Sequence, residues 1–253
     1  MSMFQDYRYF EKTGSTNDDC ARLLKEGAPH GLVVVADSQT AGKGRRGRNW
    51  DSPPGESVYM SIGLKPRISA DCTSMLTLVA ALAVCRATDD IAESDMSYIK
   101  WPNDIVVGGR KVCGILTELH FDEQGKPLVV IGIGINVNNR HFPQEITQTA
   151  TSLYLELGHE SDAKLLTEKV LEYFETYYEK FVEKCDMSTI MGEYVEKMIN
   201  KDREVRVLDP TGEYTGTARG IDKKGQLLVE KKDGTVAAVY AGEVSVRGIY
   251  GYV

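Results

Sequence analysis

The chain holds little that would tie it to a membrane, a metal or an oxidising compartment. Its longest apolar run, at about 75–85 of 253 residues, falls short of the ~20 residues that span a bilayer. The opening Met-Ser-Met-Phe-Gln-Asp-Tyr has neither a basic segment nor an apolar one, so no secretory signal is expected. Cys20, Cys72, Cys85, Cys113 and Cys185 are odd in number and widely spaced, with no Cys-x-x-Cys pair. They are expected to be reduced thiols of a cytoplasmic protein. His30, His120, His141 and His159 show no metal-ligand spacing and sit in no nucleophile motif. Positive charge is in deficit: 37 Asp+Glu against 30 Lys+Arg leave a net charge of -7. That balance argues against broad nucleic-acid binding, because phosphates select net positive surfaces. There is no internal repeat and no low-complexity segment.

Against that deficit stands Gly42-Lys43-Gly44-Arg45-Arg46-Gly47-Arg48-Asn49-Trp50, which is basic and contains no acid. Glycine lets a backbone approach a ligand closely. Lys and Arg around such a backbone favour phosphate or carboxylate. Like charges so close repel, so the loop is expected to be mobile until an anion arrives. A solvated basic turn, or a nucleic-acid patch, would use the same residues.

The surrounding pattern is mixed. A strand over 7–14 leads to a helix for which Ser15-Thr16-Asn17 offers N-cap side chains and Gly27 a stop. A β-branched run at 32–37 and an alternating one at 58–64 predict strands. Met75, Leu78, Val79 and Leu82 predict a helix over 71–91. From Lys100 a meander follows: strands at 105–107, 110–119 and 128–136, with a tight turn at Gly108-Gly109 and another at 122–126. A long amphipathic helix over 162–184 and a shorter one over 188–199 come next. Past Asn200, short runs at 205–208, 214–221, 227–230, 236–240 and 244–247 alternate with turns and suggest a small SH3-like barrel. The expected class is α+β: a mixed sheet with packed helices over 1–200, then the barrel over 201–253.

Three further stretches can carry chemistry. In Lys100-Trp101-Pro102-Asn103-Asp104, proline holds Trp101 extended, and the Asn-Asp pair can reach a ligand, a magnesium ion or only local backbone. Along 110–117, strand alternation puts Lys111 on a face with Cys113, Ile115 and Thr117, and Gly114 on the other. A lysine directed at an apolar site usually has an anionic partner; otherwise it snorkels to solvent. In Gly132-Ile133-Gly134-Ile135-Asn136, alternate glycines leave one face bare for a flat ligand or a packed helix.

Together and in this order, these stretches resemble the biotin–protein ligases. The resemblance runs over about 7–140 and rests most on the basic loop and the Lys-Trp-Pro-Asn-Asp run. One departure is Lys43, where the family loop usually has arginine. The resemblance implies that biotin and MgATP form biotinyl-5′-AMP, which a lysine of a biotin carboxyl carrier protein then attacks. It implies catalytic roles for Lys111, Arg45 and Asp104, the last as the magnesium-linked acid. It implies biotin contacts from Ser15, Thr16, Asn17, Gln39, Gly42, Lys43, Gly44, Arg45, Lys111, Gly114 and Gly132. Contacts to ATP or the adenylate are implied for Arg45, Arg48, Trp50, Asn103, Lys111 and Asn136, with Trp50 stacking on adenine. Some relatives carry an N-terminal helix-turn-helix and repress operators; nothing ahead of Phe4 forms one here, so operator binding is not expected. An exposed edge strand would be the surface for a homodimer.

Two rivals stand beside this. A lipoate or octanoate ligase or transferase shares a related fold and also modifies a carrier lysine, but would need a site for an acyl chain. A non-enzymatic nucleic-acid-binding protein would use the basic loop and the barrel, against the acidic total and Lys111.

Overall fold

The computed structural model describes residues 2–209, 212–241, 245–248 and 252–253. Two sheets organise the chain. Strands β1 (Asp6–Thr13), β2 (Leu32–Gln39), β3 (Ser57–Leu64), β4 (Ser97–Lys100), β5 (Asp104–Val107), β6 (Arg110–Phe121) and β7 (Pro127–Asn136) form a mixed sheet. Its order is β1-β2-β3-β7-β6-β5-β4. Only the β1–β2 pair is parallel, its two strands joined through a helix, α1 (Thr16–Lys25). The other pairs are antiparallel. The β5–β6 turn is Gly108-Gly109, at φ 57° and 76°, the left-handed pair a two-residue hairpin demands.

Helix α1 lies on one face, its Cys20, Ala21 and Leu24 packed on Leu32, Val34, Leu128 and Val130. On the other face α2 (Leu76–Ala92) and α4 (Ala163–Val182) form the main core with the alternate residues of β3, β6 and β7. The segment Ala70–Ala92 is by length and composition long and apolar enough to cross a membrane, more than the apolar run alone suggested. Its residues Leu78–Cys85 are buried in this core. Two elements were not legible in the sequence: β4, only four residues long, and α3 (Leu153–Leu157), a single turn capped by the Ser152 hydroxyl accepting from Leu155 N at 3.2 Å.

After α5 (Met191–Glu196), strands β8 (Glu204–Asp209), β9 (Gly212–Ile221), β10 (Leu227–Glu230), β11 (Val236–Val239) and β12 (Ser245–Gly248) form the second, antiparallel sheet. Its order is β11-β10-β9-β8-β12. Pro210 and Thr211 of the expected first turn, and Val244 of the expected last strand, lie outside the described residues. The inner residues of this sheet, Val205, Val207, Ala218, Leu227 and Val229, join the main core. Trp101 seals the junction: it is buried, and its indole Nε1 donates to the Gly225 carbonyl at 3.0 Å. The Trp101–Pro102 peptide is cis.

Candidate active site

The site lies on the α1 face of the first sheet. Gly114 pairs with Gly134 and Leu116 with Gly132, so the missing side chains of two neighbouring strands fall side by side. The Trp50 indole rests on this floor: a Cβ at Gly134 would come within 2.6 Å of the ring, and one at Gly114 within 2.9 Å. The ring therefore lies on the glycines, and its buried Nε1 has no partner among the described residues.

The expected face of Lys111 is corrected by the structure. Between Ile105 and Val106 the β5–β6 register shifts: Cys113 opposes Ile105, but Lys111 opposes Val106. Val112 is thus an extra, bulged residue, and the bulge flips the alternation. Lys111 consequently shares a face with Gly114, its Nζ 2.9 Å from where a Gly114 Cβ would be. The segment 149–151 holds the bulge, with Lys111 N donating to Thr149 O at 2.7 Å and Thr151 N donating to Lys111 O at 2.8 Å.

Lys111 Nζ pairs with Asp104 Oδ1 at 2.6 Å. Asn103 Nδ2 donates to the same carboxylate at 3.0 Å, and its Oδ1 accepts from Arg45 Nη1 at 2.5 Å. Arg45 also donates to the Ala241 carbonyl at 2.8 Å. Burial alone would raise the Asp104 pKa, but the charge and hydrogen bond of Lys111, the Tyr252 hydroxyl and Lys100 together hold it below the usual value. Asp104 is therefore ionised, and the centre is a charge-dense chain of Arg45, Asn103, Asp104 and Lys111.

The opposite end of the pocket is lined by neutral amides and hydroxyls. Gln39 Oε1 accepts from Thr16 N at 2.9 Å and Thr16 Oγ1 at 3.1 Å. Ser15 occupies the N-cap position, but its side chain makes no capping bond; Gln39 caps the helix from β2 instead. Asn17 donates to Glu118 at 2.6 Å, and the Ser61 hydroxyl lies 2.6 Å from its Oδ1. A Gly132 Cβ would meet that Asn17 amide at 2.2 Å.

These residues build a cleft between the basic loop, the start of α1 and the glycine floor. Its lining brings together Ser15, Thr16, Asn17, Gln39, Lys43, Gly44, Arg45, Trp50, Asn103, Lys111, Gly114 and Gly132 from five separate segments. Besides Asp104, three expected residues are not in that lining. Gly42 is buried behind the loop, where a Cβ would meet the Trp50 carbonyl at 2.4 Å. Arg48 is exposed. Asn136 Nδ2 donates to the Thr151 carbonyl at 3.0 Å, beside the Lys111 bulge. Asp104 is the residue expected to be the magnesium-linked acid. Both its oxygens already accept hydrogen bonds, from Lys111 and Asn103 on one and from the Tyr252 hydroxyl on the other. Among the described residues no group of three or more His, Cys, Asp or Glu is placed to hold a metal.

Sequence reasoning missed Ser61, Tyr252 and a role for Lys100. Ser61 had a signal, as a polar residue buried in an otherwise apolar strand. The basic loop is folded here: Lys43 pairs with Asp18, Trp50 N donates to Gly42 O at 2.9 Å, and Arg46 adopts φ 61°. Asp18 and the Asn103 amide offset the repulsion that the loop's own charges create.

Lys100 is buried, its Nζ 3.4 Å from the centroid of the Tyr252 ring. Burial, only partly opposed by Asp104, lowers its pKa from 10.5 to about 8; Lys111, Arg247 and Arg48 push the same way. Below pH 8 the folded chain therefore carries a buried charge at a cost. Between pH 8 and 10.5 the unfolded chain binds a proton that the folded chain has lost, so this group's contribution to stability rises with pH. Lys100→Met is expected to unfold at higher urea than the parent at pH 7. That gap should close by up to about 3 kcal/mol toward pH 10. A gap that does not change with pH would sink the assignment.

Sheet, glycine floor and lysine–carboxylate pair together define the class: the chain belongs to the Biotin/lipoate A/B protein ligase family, which matches residues 9–138. Residues 202–247 match the Biotin protein ligase C terminal domain, which places the chain with the biotin ligases of that family. It is similar to the Bifunctional ligase/repressor BirA of Bacillus subtilis (strain 168), at 37% identity over 247 residues, 96% of this chain and 75% of that one. The Biotin--[acetyl-CoA-carboxylase] ligase of Mycobacterium tuberculosis is 33% identical over 239 residues, covering 92% of this chain and 86% of that one. Among solved structures, the biotin protein ligase from Aquifex aeolicus in complex with biotin and ATP superposes with a TM-score of 0.85. It is 35% identical, over 97% of this chain and 100% of that chain.

Proposed function

We infer that the chain is an ATP-dependent biotin–protein ligase that joins biotin to AMP and passes the biotinyl group to a lysine of a carboxyl carrier protein. The observation that carries this is the pairing of Lys111 with the ionised Asp104 over a glycine floor, Arg45 alongside and a neutral amide-lined end opposite.

The chemistry sets the need for this arrangement. A biotin carboxylate oxygen attacks the α-phosphorus of ATP, and pyrophosphate leaves with the electrons of the broken P–O bond. Two anions must meet, so fixed positive charge at their meeting point lowers the barrier. Lys111 and Arg45 supply it, and Asp104 and Asn103 keep both from swinging away. The ureido head of biotin is neutral, with donors and an acceptor. Thr16, Asn17, Gln39 and Ser61 suit such a group better than charges would. The unpartnered Trp50 Nε1 is a donor presented inside the same cleft. In the second step a carrier amine attacks the acyl carbon and AMP departs. A folded loop over the site keeps water from the anhydride.

Magnesium enters this reading on the ATP phosphates, not through Asp104. Five free cysteines accord with a cytoplasmic setting. The test is pyrophosphate release by the purified chain with MgATP and biotin, lipoate or octanoate, with mass detection of the acyl-AMP. Release with biotin alone is expected. Release with lipoate or octanoate but not biotin would move the chain to the lipoate side of the family. No release with any acid would return the basic loop to nucleic-acid binding.

A further inference from the structure

The carboxylate at the centre of the site is held partly by Tyr252. Tyr252 donates its hydroxyl to Asp104 Oδ2 at 2.5 Å, while Lys111 holds Oδ1 at 2.6 Å. The two oxygens are thus fixed from opposite sides, and with Asn103 on Oδ1 the carboxylate plane has no freedom to turn. The Tyr252 ring lies under the Lys100 ammonium, 3.4 Å from Nζ. Burial and the Asp104 charge raise the phenol pKa, so the hydroxyl remains a donor.

The tail is clamped where it must be for this. A Cβ at Gly248 of β12 would lie 2.0 Å from the Val253 carbonyl oxygen, and one at Gly109 would lie 3.6 Å from the Val253 side chain. The chain end is therefore fitted between the second sheet and the β5–β6 hairpin. Independently, the Ala241 carbonyl accepts from Arg45 at 2.8 Å. The C-terminal unit thus touches both sides of the charge chain: the loop arginine and the acid.

We propose that Tyr252 is a positioning residue for adenylate formation: its hydrogen bond orients Asp104, which in turn holds Lys111 where carboxylate and α-phosphate meet. Adenylation by the first sheet is thereby made dependent on the C-terminal unit. This rests on Lys111 being the cation of the chemical step.

The experiment uses the full chain and three variants: Tyr252→Phe, which keeps the ring under Lys100; Tyr252→Ala, which loses ring and hydroxyl; and Lys111→Ala. Single-turnover formation of biotinyl-AMP, the biotin KM and the thermal midpoint are measured for each. A hydrogen bond to a charged group is worth about 1.5 kcal/mol at the low end, roughly tenfold in rate. Tyr252→Phe is expected to slow adenylate formation about tenfold, with biotin KM and thermal midpoint close to the parent, and Tyr252→Ala to slow it further. A Tyr252→Phe rate equal to the parent, with Lys111→Ala inactive, overturns the proposal and leaves the ligase reading intact. A variant whose midpoint, KM and rate all worsen together reveals a packing role and also overturns it. Full activity in Lys111→Ala would overturn the reading and the proposal with it.

Discussion

Lys111→Ala should reduce biotin-dependent pyrophosphate release by about 10²–10³-fold, the usual loss when one preorganised positive group is taken from a developing anion. Two effects add. The cation nearest the meeting point of carboxylate and phosphate is gone. Asp104 also loses its ion pair while remaining buried, so its charge becomes costly to keep. Lys111→Arg should recover only part of the rate. Guanidinium is a planar fork rather than a compact charge, and the space beside Gly114 and Trp50 is already narrow. Biotin affinity, measured by calorimetry, should fall much less than the rate, because the neutral end of the cleft is untouched. A Lys111→Ala enzyme within a few-fold of the parent would remove Lys111 from the chemistry.

Trp101→Ala should cost about 3–5 kcal/mol of stability, at the upper end for a core truncation. Trp101 is 1% exposed in the main core, among residues of both sheets. Its removal leaves a cavity at their junction and strips the Gly225 carbonyl of the indole donor at 3.0 Å. Trp101→Phe fills most of the volume but leaves that carbonyl short, at about 1–3 kcal/mol. Urea unfolding of the three proteins would separate the packing share from the hydrogen-bond share. The nearby Asn103 and Asp104 belong to the charge chain, so adenylation should weaken alongside stability. A loss under 1 kcal/mol for Trp101→Ala would mean that Trp101 does not join the two sheets.

Much of the site is legible in local sequence because its devices are local. Glycines at 132 and 134 must lie on one face of a strand, and the structure turns that bare face into the floor under Trp50 and the Asn17 amide. The basic loop and the Gly108-Gly109 turn are likewise short-range, and neither needs a distant partner to be recognised. The amphipathic helices followed from their spacing, since burial of one stripe is a property of period.

The misplaced residues share a different cause. Strand alternation put Lys111 opposite Gly114, and one bulged residue reversed it. Asn136 and Asp104 have side chains that suit a ligand, and both are taken by partners distant in the chain: Thr151 for one, Lys111 and Tyr252 for the other. Gln39, not Ser15, satisfies the start of α1, across 23 positions of sequence. The sequence by itself determined most of the strands and helices, the glycine floor and the cations available to meet an anion, because each follows from neighbours within a few residues. Only the tertiary structure decided which polar groups face the cleft and which are spent holding others. Hydrogen-bond donors and acceptors are satisfied by whatever the fold brings near, and no periodicity records that choice.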